Sequence, residues 1–131
     1  MRIFVLEQID AIIGKQRFDK LIVEEDGFRK CPFDEFENEQ KQFFPNEIVQ
    51  LYAYMNQVAN LKALPEEKFH PYDNGDPREY EFKTKHLRLY CIEQRGGKIV
   101  VYGGTKAKQR NDTSDFRALK DKYIRYQQDK K

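Results

Sequence analysis

The segment that most constrains this chain is residues 80–126, in which strand-like runs, paired glycines, clustered cations and a helical pattern follow one another. Residues 86–92 and 98–102 are rich in aliphatic, β-branched and aromatic side chains and have the length of a strand. Gly96-Gly97 between them fits a two-residue hairpin turn, which requires positive φ at its centre. A third strand-like run precedes them at the start of the 80–126 segment. The pattern predicts three consecutive strands, a basic loop after Gly103-Gly104, and a helix.

Two helical patterns lie upstream of this segment, and each begins at a proline, whose missing N–H is harmless in the first helical turn. The first starts at Pro32 in a glutamate-rich segment, and its apolar face contains Phe33, Phe36, Gln40 and Phe43. The second starts at Pro45 and has a clearer stripe, which is more typical of a buried core than of a docking surface. That stripe consists of Ile48, Leu51, Tyr52, Met55, Val58 and Ala59.

Weaker signals occur at both ends of the chain. Residues 3–6 and 20–23 predict short strands, the second of which is ended by the turn residues Asp26-Gly27. A helical turn between these strands has one apolar face, formed by Ile9, Ile12 and Ile13. Near the C-terminus, Thr113 or Ser114 is suited to cap the last helix. The predicted buried stripe of that helix consists of Phe116, Leu119, Tyr123 and Ile124.

Together these elements predict one α+β domain spanning residues 1–131. In the expected architecture, an antiparallel sheet of about four strands packs against a helical hairpin formed by the two middle helices, and a C-terminal helix closes the fold. Residues 65–78 hold three of the five prolines. They are predicted as a long loop, with a plain turn at 73–76 rather than a calcium-binding loop.

The charge of the chain is divided unevenly, although the net charge is only +2. Residues 1–78 contain 10 lysine and arginine residues against 15 aspartate and glutamate residues, whereas residues 79–131 contain 14 against 7. Such asymmetry is a pointer to contact with nucleic acid, although many enzyme surfaces are equally uneven by chance. We therefore expect a phosphate-bearing partner to meet the C-terminal part of the chain.

Cysteine usage and the lack of targeting signals indicate the compartment. Cys31 and Cys91 have no cysteine or histidine neighbours at the spacing that holds zinc, so we expect two free thiols in a reducing cytoplasm, with no metal and no cofactor. Glu7 and Asp10 interrupt the N-terminal segment too early for a signal peptide. No apolar run reaches the length of a membrane span. The sequence therefore predicts a soluble cytoplasmic protein.

Arg88 is the first candidate for a catalytic role, because it stands inside an apolar strand. Its head group must either open onto a cleft, where it can stabilise a phosphate, or pair with a carboxylate such as Glu81 or Glu93. The residues alone leave both alternatives open. The next candidates are three clustered cations, which are suited to bind phosphate or transfer protons, or else form a solvated charge run. These cations are Lys106, Lys108 and Arg110.

Further residues near the predicted hairpin suit contact with nucleic acid. Lys83 and Lys85 can line a groove by strand alternation, or can simply protect a strand edge from mispairing. His86 is the histidine nearest the hairpin and carries a side chain that can act as a base near neutral pH. A lone histidine at the start of a strand is usually structural, so it ranks below the lysines as a candidate. The set is completed by two tyrosine rings and one cation of the last helix. The rings can stack on an unpaired base, or else belong to the core. These are Tyr102, Tyr126 and Lys122.

This set of residues fits the metal-free cleavage of RNA. In that reaction the ribose 2′-hydroxyl attacks the adjacent phosphate, a base takes its proton, an acid protonates the leaving 5′ oxygen, and cations stabilise the phosphorane. The sequence has no close Asp/Glu pair suited to two-metal hydrolysis, and no P-loop, dinucleotide fingerprint or nucleophile elbow.

The stretch YEFKTKHLRLYCIEQRGGKIVVYGGTKAKQR resembles the C-terminal sheet of RelE/ParE-type toxins of bacterial toxin–antitoxin pairs, nearest to their HigB-like and phage-derived branch. The helical hairpin at 32–62 fits the same family, and the similarity covers roughly residues 20–126. The resemblance implies a small α+β toxin that cuts mRNA on the ribosome and is held inactive by a cognate antitoxin.

By position, the resemblance places Arg88 at the cleavage centre and matches Lys83 and Lys85 to a basic pair before the arginine strand. The cations after Gly103-Gly104 match the family's basic residues beyond the last strand. Phe116 stands where some members have an aromatic residue that exchanges a proton. Two alternatives therefore stay open: a non-enzymatic inhibitor of a protein target such as gyrase, as in ParE-like relatives, and an inactive relative that only binds nucleic acid.

Overall fold

The computed structural model describes residues 1–73 and 75–130. These residues form an α+β fold with a mixed seven-stranded sheet and three α-helices, the last of which is C-terminal. The helices are α1 (Pro32–Gln40), α2 (Pro45–Ala59) and α3 (Gln109–Asp129), with a short 3-10 turn at Lys106–Lys108 before α3. The strands are β1 (Arg2–Gln8), β2 (Arg17–Glu25), β3 (Phe28–Lys30), β4 (Phe69–Pro71), β5 (Glu79–Lys83), β6 (Leu87–Gln94) and β7 (Gly97–Thr105).

The strand order is β1-β2-β7-β6-β5-β4, and β3 also pairs with β2. All pairs are antiparallel except β2 and β7, which run parallel along Arg17–Lys20. The prediction of about four antiparallel strands was therefore wrong. The two strands that no sequence pattern predicted, β3 and β4, are three residues long, and β4 lies within the segment predicted as a loop. Periodicity cannot identify strands this short, or a parallel partner about 80 positions away along the chain.

Alternation along β6 separates two layers of core on opposite faces of the sheet. Leu87, Leu89 and Cys91 pack into the cluster formed with α1 and α2, whereas Tyr90 and Ile92 pack into the cluster formed with α3. The predicted stripe of α2 is confirmed, because its aliphatic members are buried and Tyr52 packs against the first cluster. No helix in the described part of the chain combines the length and the apolar character that a bilayer crossing requires.

Several predicted boundaries are corrected by the structure. Because α3 begins at Gln109, Thr113 lies inside the helix, where its hydroxyl donates to the Gln109 carbonyl at 2.7 Å instead of capping it. Ser114 likewise lies inside the helix. The β6–β7 turn is Arg95-Gly96, since Gln94 already pairs with Gly97 and Gly96 has the positive φ of 79°. The predicted turn at 73–76 includes residue 74, which lies outside the described residues.

Two apolar residues expected on buried faces are exposed instead. Ile13 and Phe43 both lie in connections, because the chain after β1 is not helical there and α1 ends at Gln40. The strand predicted to end at residue 102 continues to Thr105. Gly103-Gly104 therefore belongs to β7 and not to a loop.

Candidate functional site

One end of the sheet gathers three of the predicted polar residues. The turn between β5 and β6 carries Lys85 and His86, and Leu87 pairs directly with Thr105 at the end of β7. The backbone N–H of Lys106 donates to the His86 carbonyl at 2.8 Å. The strand pairing therefore brings Lys85, His86 and Lys106 to the same edge, although 20 positions separate the histidine from the second lysine.

Glu47 in the first turn of α2 holds this turn in place. Its carboxylate accepts hydrogen bonds from the Thr84 hydroxyl at 2.5 Å and from the His86 backbone N–H at 2.7 Å. The Nδ1 atom of His86 lies 2.7 Å from the same carboxylate. The ring of Phe44 stacks on the imidazole with 4.5 Å between ring centroids. The imidazole is thus oriented on two sides, while 46% of the His86 side chain remains exposed.

Electrostatics favours the charged form of Glu47. Burial alone would raise the pKa of this carboxyl, but the hydrogen bonds from Thr84 and His86 outweigh it, and the pKa lies below its ordinary value. Because a carboxylate only accepts, Nδ1 of His86 carries the proton of that contact. In the neutral imidazole, Nε2 then holds the free lone pair and is the atom able to take a proton.

The exposed side of His86 faces a groove of about 510 Å³, lined by Phe44, Lys85, His86, Thr105, Lys106 and Ala107. Lys85 and Lys106 are exposed, and among the described residues neither ammonium has a carboxylate within 4 Å. Two uncompensated cations beside one oriented imidazole make the groove suited to a phosphate.

Arg88 is not part of this groove's surface. The residue is only 7% exposed, and Nη1 of its guanidinium donates to the carbonyls of Thr84 at 2.7 Å and Leu87 at 2.8 Å. Its Nε lies 3.8 Å from the carboxylate of Glu81. Of the two alternatives that the sequence left open for this head group, the structure shows the carboxylate partner, Glu81, and not an opening onto a cleft. Arg88 supports the turn that carries His86 from inside the protein.

Glu81 is a fully buried carboxylate that gathers several polar groups on the α3 side of the sheet. It accepts from the Tyr72 hydroxyl at 2.5 Å and from the Gln109 side-chain amide at 3.0 Å. The ammonium of Lys83 lies 3.7 Å from it. Lys83 is therefore directed to an interior carboxylate, whereas its predicted companion Lys85 points to the groove.

The three cations beyond β7 diverge instead of forming one clamp. Lys106 lines the groove beside His86. Lys108 lines a different cavity of about 210 Å³, together with Glu39 and Asp112. Arg110 is exposed on the first turn of α3. A 3-10 turn rotates successive side chains by about 120°, which sends alternate residues to different sides.

The remaining predicted residues lie away from the groove. Tyr102 is half-buried, with its hydroxyl 3.5 Å from the Asp115 carboxylate, and Lys122 shares a separate cavity with it. Tyr126 packs edge-on against Phe4 with 5.4 Å between ring centroids. None of these three residues lines the groove. Within residues 1–73 and 75–130, no three His, Cys, Asp or Glu side chains are placed to hold a metal ion.

Sequence reasoning missed Glu47, which lies 39 positions from His86. Its only local signal is a carboxylate in the first turn of a helix, which is common because it complements the helix dipole. Comparison of the chain with protein-family models, curated proteins and solved structures gives no match.

Proposed function

We propose that this protein cleaves RNA in the groove beside His86, by attack of the ribose 2′-hydroxyl on the adjacent phosphate. The observation that carries the proposal is the His86 imidazole, held through Nδ1 by the Glu47 carboxylate at 2.7 Å and exposed beside Lys85 and Lys106. Nε2 of His86 takes the 2′ proton. Glu47 then stabilises the imidazolium that forms, as an orienting carboxylate does in other histidine-based sites.

The two lysines supply the electrostatic part of the reaction. Their ammonium groups bind the scissile phosphate and stabilise the charge that develops on the phosphorane. An in-line attack places the base and the acid on opposite sides of the phosphorus, so the acid must be a group other than His86. In this scheme a lysine of the groove donates the proton that the leaving 5′ oxygen requires. Arg88 has a positioning role in this scheme, because its guanidinium bonds the carbonyls that flank Lys85 and His86.

In its biological setting, we propose that the chain is the toxin of a type II toxin–antitoxin pair of the RelE-like, HigB-like kind. It would act on mRNA at the ribosome in the cytoplasm and be held inactive by a cognate antitoxin. The α+β fold with a C-terminal helix, the free cations at one edge of the sheet and the basic segment 79–131 support this assignment. The chain departs from the expected site in the interior position of Arg88, in the divergence of Lys108 and Arg110 from the groove, and in Phe116 at the position of a proton-exchanging aromatic.

The test compares the two histidines of the chain in a translating extract. Wild-type protein should leave cleaved message with 2′,3′-cyclic phosphate ends, mapped by primer extension and end-group analysis. His86→Ala should lower the cleavage rate by about 10²–10⁴-fold, the share that general base catalysis usually supplies. His70→Ala is the matched control, since His70 lies in β4 and its ring is 3.9 Å from Glu66. This variant should cleave at the wild-type rate.

Two results would overturn the proposal. Cleavage by His86→Ala at the wild-type rate would remove the histidine from the reaction. Intact message in the presence of folded wild-type protein that binds RNA with steep salt dependence would indicate a binding module without activity.

A further inference from the structure

Lys98 is a buried lysine at the end of β7 opposite to the groove of His86. The residue is only 5% exposed, and within residues 1–73 and 75–130 its ammonium makes one hydrogen bond, to the side-chain carbonyl of Gln16 at 3.2 Å. It lies 4.5 Å from the centre of the Tyr80 ring. Among the described residues, no carboxylate oxygen lies within 4 Å of it.

Lys120 is an equally buried lysine of this protein, and its ammonium does have a carboxylate partner. It is also 5% exposed, but its ammonium contacts the Glu79 carboxylate at 3.0 Å and the Pro77 carbonyl at 2.7 Å. A buried ammonium without such a counter-charge is unfavourable, and the group responds by releasing its proton more easily. Lys98 is therefore the exception that calls for an explanation.

The charged groups around Lys98 do not cancel the effect of burial. Burial lowers the pKa of its ammonium, and the positive charge of Arg78 acts in the same direction. Cys91 and Glu93 act in the opposite direction, but the pKa remains below its ordinary value. Glu93 is itself engaged by the Tyr80 hydroxyl, which donates to it at 3.1 Å. The neutral amine is consequently more populated at Lys98 than at an exposed lysine.

The amine lies against an apolar cavity of about 500 Å³ between the end of α2 and β4. Its lining is mainly the side chains of Val58, Leu61, Leu64, Phe69 and Pro71, and the exposed charged residues Lys62 and Glu66 also line it. A desolvated lysine in an apolar cavity is the setting in which an amine becomes a nucleophile toward carbonyl compounds.

We propose that Lys98 is a covalent binding site for an apolar aldehyde. The neutral ε-amine adds to the carbonyl carbon to give a carbinolamine, which loses its oxygen as water and leaves an imine between Nζ and the ligand carbon. Amine and aldehyde thus give imine and one water, with no oxidant or further reactant. The alkyl chain of the ligand occupies the apolar cavity. The site lies at the other end of the sheet from His86 and does not depend on the proposed nuclease.

The test is reductive trapping of the folded protein with hexanal and cyanoborohydride, which reduces the imine in preference to the free aldehyde, at pH 7.5, followed by peptide mapping by mass spectrometry. Lys98 should be labelled several-fold faster than Lys62, which also lines the cavity but is exposed. Glycolaldehyde, a small polar aldehyde, should show a smaller preference for Lys98 because it gains nothing from the apolar walls. Lys98→Met should lose the fast label.

A second measurement needs no variant and applies even if Lys98→Met fails to fold. The labelling rate of Lys98 should reach its plateau at a lower pH than the rate of Lys62 in the same sample, because the pKa of Lys98 is lowered. Labelling of Lys98 no faster than of Lys62, or labelling that requires urea, would overturn the proposal. A plateau at the same pH for both lysines would do the same.

Discussion

The face of the sheet beneath α1 and α2 and the face beneath α3 differ in what the strands present to the helices. The first presents fully buried apolar side chains such as Phe82 and Leu89. The second places the buried carboxylates Glu79 and Glu81 and the guanidinium of Arg88 beside its smaller apolar cluster. Apolar packing depends on volume and tolerates many neighbours, whereas a buried polar layer depends on each partner being present. The two helical layers should therefore respond differently to mutation.

The α3 face is also incompletely satisfied. Among the described residues, three buried side-chain atoms lack a hydrogen-bond partner, and all three lie on this face: Arg88 Nε, Tyr90 Oη and Asp112 Oδ2. Burial raises the pKa of Tyr90 to about 12, so its hydroxyl stays protonated. Unpaired buried groups cost stability, and this cost subtracts from what the ion pairs of α3 contribute to its docking.

The largest effect should come from removing Glu79. Glu79→Ala leaves the buried ammonium of Lys120 with only the Pro77 carbonyl, and it also releases Arg117, whose Nε lies 3.1 Å from the carboxylate. We expect a loss of about 3–5 kcal/mol in the free energy of unfolding, measured with urea. The double variant Glu79→Ala, Lys120→Met should recover most of that loss. A single variant as stable as wild type would refute the view that this ion pair docks α3.

A core truncation on the other face gives the contrasting case. Leu89→Ala leaves a cavity beneath α1 and α2, where the side chain is fully buried. The expected loss is about 2–5 kcal/mol in the free energy of unfolding. The loss should be the same at pH 5 and pH 8, since the side chain that is removed does not titrate. A strong dependence on pH would show that the two layers are not energetically separate.

The difference between an apolar layer and a polar layer also explains which features of the fold and the site could be predicted from the sequence. The stripe of α2 was predictable because residues such as Leu51 and Met55 recur at helical spacing and meet any apolar surface. The environment of Arg88 was not predictable, because an arginine in an apolar strand can either open onto a cleft or pair with a carboxylate. The choice depends on Glu81 in the neighbouring strand. The groove was predicted in part: Lys85, His86 and Lys106 were candidates. Glu47, which orients the histidine, could be found only from the tertiary fold.

Adjacent glycines in β7 provide a smaller and closely matched test of the two faces. An added Cβ at Gly103 would lie 2.6 Å from the Phe36 ring of α1, and one at Gly104 would collide with the Asp112 carboxylate of α3. Each substitution to alanine should cost about 1–3 kcal/mol by overpacking. Asp112→Ala should rescue Gly104→Ala but not Gly103→Ala in thermal unfolding. Equal rescue of both would mean that α1 and α3 move together.

The smallest expected effect is on the pH dependence of folding stability, to which one carboxyl from each helical layer contributes with opposite sign. The pKa of Glu47 is lowered, so its ionised form stabilises the folded state at neutral pH, and this contribution disappears as the pH falls below the ordinary value of 4.5. The pKa of Asp112 is raised, chiefly by burial and then by Asp115. Its ionised form therefore destabilises the folded state as the pH rises above 3.8, the ordinary value.

Neutral amides at these two positions should accordingly act in opposite directions. Glu47→Gln should lower the melting temperature at pH 7, and Asp112→Asn should raise it, because each removes a charge whose effect on stability has the opposite sign. Both differences from wild type should shrink toward zero at pH 3, where the carboxyls are largely protonated in the unfolded chain. Melting curves recorded by circular dichroism across this range provide the measurement. If Asp112→Asn lowered the melting temperature at pH 7, the carboxylate would have a partner on α3's side of the sheet, and the contrast between the two layers would fail at that position.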